Sequence, residues 1–142
     1  MASFVEPWTR LLPPDAPVNH AVPTVDVLLT MRTGRLRAAI LLVDSGADIS
    51  LAPRTLCEQL GLDWKAGEPL TLHGISAKPG CEVLARVLEV ELIVPQAAVA
   101  IRVPICFADG DASLLLGREG FFDCFRIEFD KTNPVTTFSV ED

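Results

Sequence analysis

The chain has 142 residues, the size of one domain, and 49% of them are hydrophobic, which excludes a disordered polypeptide. A net charge of -7 argues against nucleic acid or an anionic membrane surface as the main partner, because both reward a basic face. The cysteines Cys57, Cys81, Cys106 and Cys124 lie far apart and the histidines His20 and His73 stand alone, so no metal or other cofactor is expected. Free buried thiols in a reducing compartment are the simpler expectation. The first residues lack a basic-then-apolar leader pattern and no apolar run is long enough to span a bilayer, so the chain is expected to be cytoplasmic.

Pro7, Pro13, Pro14 and Pro17, with Pro23 just beyond, forbid a long helix and suggest that residues 1–22 are an extended arm or linker ahead of a domain at 23–142. From Thr24 the pattern changes. Val25–Met31 reads as a strand, Arg32–Arg35 as a turn and Leu36–Val43 as a second strand, which together make a hairpin. The run Ala39–Val43 is apolar at every position, the pattern of a strand buried on both faces. Pro53 opens a short helix, with Ser50 or Ala52 near its cap, that stops at Gly61.

Leu70–Cys81 reads as a hairpin with small residues at its centre, and long strands follow at Val83–Val94 and Ala97–Phe107. A turn at Asp109–Asp111 leads into Leu114–Gly117, and Arg118–Phe125 suits a short helix. A last hairpin pairs Arg126–Asp130 with Val135–Val140 around Thr132–Pro134. The expected fold is mostly β, with one or two short helices.

The strand ending at Val43 delivers the chain into Asp44-Ser45-Gly46-Ala47-Asp48. A carboxylate placed directly after a buried strand is costly unless it has a task or a partner. Gly46 lets the backbone turn sharply and brings N–H groups near a carboxylate, while Ser45 supplies a hydroxyl that donates and accepts. Taken alone, D-S-G also fits a plain polar turn.

Wider context favours chemistry. The run Leu41–Asp48 resembles the active-site signature of retropepsins, in which apolar residues precede D-[ST]-G-A. Leu114–Arg118 resembles the same family's later apolar-apolar-Gly-Arg motif, and a Gly-containing hairpin lies between the two. Glu119–Asp123 looks closest to the bacterial branch of that family. The resemblance implies a retropepsin-like acid-protease half-barrel and an aspartic endopeptidase that cleaves extended, hydrophobic protein segments.

It further implies Asp44 as the catalytic residue. Ser45, Gly46 and Ala47 would support the active-site loop, with Ser45 bonding across a two-fold axis. Asp48 and Arg118 would form a buried structural ion pair, or be two unrelated surface charges. His73, Gly74, Ile75 and Ser76 would belong to a flap over the substrate, and Phe107 and Ala108 to the substrate wall. Only one D-S-G is present, so the second carboxylate must come from a second copy, and a homodimer is implied. Phe138 and Val140 are candidates for the intersubunit sheet. The competing readings are a peptide-binding module that keeps the fold without catalysis, and a metal or redox protein built on the cysteines. A serine hydrolase is disfavoured because no G-x-S-x-G occurs.

Overall fold

The computed structural model describes residues 2–10, 21–72 and 83–140. Its strands, in chain order, are β1 (Ala2–Pro7), β2 (Thr24–Thr30), β3 (Leu36–Val43), β4 (Ser50–Pro53), β5 (Glu68–Leu72), β6 (Val83–Val94), β7 (Val99–Ala108), β8 (Leu115–Leu116), β9 (Phe125–Asp130) and β10 (Val135–Val140). A single α-helix among the described residues, α1 (Arg54–Gln59), follows β4. Pro53 occupies its N-cap without a side-chain hydrogen bond, so neither Ser50 nor Ala52 caps it.

Seven strands form one sheet in the order β2-β3-β8-β4-β7-β6-β5, and an added pairing of β2 with β6 closes six of them into a ring. Most neighbours are antiparallel, but β3–β8 and β4–β7 run parallel. Closure removes sheet edges, and β5 hangs outside the ring on β6 as one leg of a hairpin. Inside lie Val25, Val27, Leu29, Leu41, Val43, Leu92, Val103, Ile105 and Phe107, all essentially sealed from solvent. Alternation at strand period puts these residues inward.

The β6–β7 connection was not legible as a turn. Pro95–Ala97 forms a 3-10 turn and Ala98 takes a left-handed conformation (φ 52°), a backbone that glycine or asparagine usually signals. Strand β3 departs from expectation on its outer face, where Leu36 and Ile40 are 50% and 51% exposed. In the single chain this strand is buried on one face. The Arg118–Phe125 helix is also shorter than expected. It is an irregular helical turn over Arg118–Phe122, broken by the non-helical Glu119 and by Gly120 at φ 85°. Phe125 already belongs to β9.

A second, three-stranded sheet has the order β1-β10-β9. The segment read as an arm therefore begins with a strand that pairs with the C-terminal one, from Ala2–Val140 to Pro7–Val135. Phe4 stacks on Phe138 (4.9 Å between ring centroids, 11° between planes), and Phe121 and Phe125 complete the cluster. Each favourable ring pair adds about 1 kcal/mol beyond simple burial. Phe138 is fully buried among these rings, and β10 has a neighbour on both sides within its own chain. Phe138 is thus a core residue and not an intersubunit one, because the strand's apolar face is covered by the chain itself.

Candidate active site

Asp44 stands at the end of β3, where three backbone hydrogen bonds fasten the strand. Leu42 N–H donates to Leu114 O (3.1 Å), Val43 N–H to Pro23 O (2.9 Å) and Asp44 N–H to Leu116 O (2.9 Å). The chain then turns, with Ala47 N–H donating to Asp44 O at 3.3 Å. Gly46 N–H donates to Asp44 Oδ1 at 2.9 Å, which holds the half-buried carboxylate in one orientation. A Cβ at Gly46 would come within 3.3 Å of that same oxygen. Ser45 and Gly46 are exposed and Ala47 is half-buried.

The loop is laced to the segment after β8. Arg118 N–H donates to Ala47 O (2.9 Å) and Glu119 N–H to Asp48 O (3.0 Å). Gly117 N–H donates to the Ser50 hydroxyl at 3.0 Å, and Ser50 is wholly buried. Gly117 lies so close to the loop that a Cβ there would sit 2.5 Å from the Ile49 carbonyl carbon and 2.8 Å from Ala47 O. Sequence reasoning named Ser50 only as a possible helix cap and Gly117 only as part of the Leu114–Arg118 motif, and the bond between them was not foreseen. A small polar residue between apolar neighbours in a short strand was the available signal for Ser50.

The Arg118 guanidinium bonds the Asp48 carboxylate through Nη2 and Oδ1. The pair is open to solvent in the single chain, at 55% and 86% side-chain exposure, and not buried. Beside the loop is a hollow of about 470 Å³ bounded by Gly46–Asp48 and by Ile49, Leu51, Leu72, Cys106 and Leu115. It has an acidic loop on one side and apolar walls on the others. A larger hollow of about 610 Å³ lies over Asp26, Leu28, Ala38, Ile40 and Pro95 and shares no residue with the loop.

Phe107 and Ala108 are fully buried and do not face either hollow. Strand β7 runs between β6 and β4, and the Trp64 indole N–H covers Phe107 by donating to its carbonyl at 2.9 Å. Leu72 and Leu115 border the hollow by the loop instead. His73, Gly74, Ile75 and Ser76 lie outside the described residues, but the hairpin's base, β5 paired with β6 from Glu68–Val87 to Leu72–Val83, is present.

Among the described residues no group of three or more His, Cys, Asp or Glu could hold a metal ion. Cys57, Cys106 and Cys124 are free thiols, and burial pushes that of Cys57 up to about 11. Thiols of that kind are poor nucleophiles and poor ligands near neutral pH. No helix among the described residues is long and apolar enough to cross a membrane.

No family model and no curated protein matches the sequence. Solved structures are similar in shape. A retropepsin-like aspartic protease from Rickettsia conorii superposes with a TM-score of 0.63 at 13% identity, covering 96% of this chain and 98% of that one. The EIAV protease in complex with the inhibitor HBY-793 gives a TM-score of 0.42 at 22% identity, over 68% of this chain and 82% of that one. With its closed ring of strands, its aspartate loop and that near end-to-end superposition, the chain has the retropepsin-like fold.

Proposed function

We propose that the chain is one half of an aspartic endopeptidase in which Asp44 from each of two copies forms the catalytic pair. The observation that carries this reading is the Asp44 carboxylate, oriented by Gly46 N–H at the end of a strand, in a loop whose next residues Gly46–Asp48 border an apolar hollow. Two carboxylates brought within a few ångströms share one proton, since both cannot ionise comfortably. The ionised member takes a proton from a water held between them. That water attacks the scissile carbonyl while the protonated member donates to the carbonyl oxygen. No covalent intermediate is needed, and the two titrations belong to the pair.

Ser45 would bond across the two-fold axis, and the Asp48–Arg118 pair would hold the loop to the segment after β8. His73–Ser76 would close over an extended peptide, whose hydrophobic side chains suit Ile49, Leu51 and Leu115. Assembly is expected at a sheet edge. Strand β10 is flanked on both sides, and β9 carries the exposed charges Arg126 and Glu128, which discourage edge pairing. The outer edge of β1 carries no outward charge, because Glu6 is buried, so it is the edge offered to a second copy.

Digestion of a peptide library across pH 4 to 7, read by mass spectrometry, tests this. Wild type should cleave, cleavage should fall on dilution, and Asp44→Asn should lose it while keeping the fold. Cleavage that persists in Asp44→Asn would reject the assignment. A confirmed dimer without cleavage would favour a peptide-binding module instead.

A further inference from the structure

Strand β1 is held to the body of the molecule by more than its phenylalanine. Glu6 is only 6% exposed, an unusual place for a carboxylate on a strand that joins two sheets. Its Oε1 accepts from Gln96 Nε2 at 2.6 Å, on the 3-10 turn Pro95–Ala97. Asp26, on β2, lies close enough to act on Glu6 through its charge and its backbone N–H. Strand β2 meets β6 only at Leu28 and Leu29, so at Asp26 that edge of β2 has no strand beside it among the described residues.

Charge around this contact is one-sided. Four elements pack against β1: β10, the Pro95–Ala97 turn, β2, and β9, whose Phe125 meets Phe4. The first two carry no charged residue, and the third carries only Asp26, a second acid. The charges of β9, Arg126, Glu128 and Asp130, stand in register with Ser3, Val5 and Pro7, on the face of the sheet opposite Glu6. An ionised Glu6 is thus buried facing a like charge, with no cation of these elements on its own face. A protonated Glu6 keeps its bond from Gln96 without that repulsion.

We propose that Glu6 is a proton-operated latch which seats β1 against β2 and the Pro95–Ala97 turn when protonated, and loosens the strand when ionised. Burial, then the Asp26 charge, raise the carboxyl above its ordinary value, in spite of the opposing pull of the Asp26 backbone N–H and of the Gln96 hydrogen bond. The sign follows by linkage. The seated strand binds the proton more tightly than the free strand does, so the added stability is full below the ordinary value of 4.5. It is lost as pH rises through the raised value of the seated state. The phenylalanine stack is indifferent to pH and keeps β1 in register, so the latch tunes a population of seated strand and does not fold the domain. Its bearing on turnover rests on the dimeric-peptidase reading, in which the outer edge of β1 meets the second copy. There, acid would favour assembly and the shared proton together.

Amide hydrogen exchange of the full chain, corrected for the intrinsic pH dependence, tests the latch without reference to activity. Failure of the peptidase reading would leave its result intact. Protection of the amides of residues 2–6 in the wild type should fall with rising pH, by about tenfold for each unit that seating raises the Glu6 carboxyl. In Glu6→Gln, neutral and nearly the same shape, protection should stay level, and in Asp26→Asn the fall should be smaller. Protection of β6 and β7 should be unchanged in all three. A wild-type profile that matches Glu6→Gln, or that rises with pH, overturns the proposal. If Glu6→Gln fails to fold, the side-chain carboxyl resonance of Glu6 in the wild type decides. A titration midpoint above the ordinary value supports the latch, and one at or below it rejects it.

Discussion

Two regions of this molecule achieve order by opposite means. The loop from Asp44 to Ser50 is held by backbone hydrogen bonds to the segment 114–119 and by a contact at Gly117 too close for any side chain. The three-stranded sheet is held by four phenylalanines in one cluster, with one pair stacked and the others tilted or edge-on. Backbone lacing places a carboxylate accurately but tolerates no change of shape. Ring packing is worth more free energy in total, yet it can be refilled by other apolar groups of similar size.

That contrast can be broken or sharpened by substitution. The largest effect should come from Phe138→Ala, which empties the centre of the ring cluster and should cost about 4 kcal/mol in urea unfolding. Phe138→Leu should recover much of that loss, as expected if volume is what matters. Gly117→Ala should cost about 3 kcal/mol, since its new methyl meets backbone atoms that cannot rotate away. No larger residue should rescue it, and loss of peptide cleavage should accompany the loss of stability. Recovery by a larger residue at 117 would erase the distinction between the two regions.

Ser50→Ala should cost about 2 kcal/mol, because it leaves the Gly117 N–H buried without an acceptor. The smallest effect on the folded chain belongs to Arg118→Ala. An exposed ion pair contributes under about 1 kcal/mol, so the unfolding midpoint should scarcely move. Sedimentation should nonetheless show a weaker dimer in that variant if the pair becomes enclosed when two copies meet. An unchanged monomer–dimer equilibrium would reduce Asp48 and Arg118 to surface charges.

Much of this was legible in the sequence because the deciding signals are local. The β2–β3 hairpin follows from alternation and the Arg32–Arg35 turn, and Asp44 stands out as an acid placed straight after an apolar strand. Helix α1 follows from Pro53 and Gly61. What escaped reading depends on distant partners. Alternation in Val135–Val140 shows which face is apolar, but not that Phe4, Phe121 and Phe125 of the same chain cover it. Prolines beyond residue 7 concealed a strand before it, and β7 gave no local sign that Trp64 would seal off Phe107. The Ser50–Gly117 bond joins residues 67 apart, and periodicity carries no information over that distance.

The lacing of the Asp44 loop also sets an order of events during synthesis. Its fastenings come from Leu116, Gly117, Arg118 and Glu119, so a nascent chain ending before them holds an aspartate on an untethered turn. Long-range and parallel pairings form late, because the intervening chain must first be ordered. A nascent chain can therefore pair β2 with β3 before the residues that fasten the site have been made. Whatever chemistry the loop performs begins only after most of the ring has closed around it.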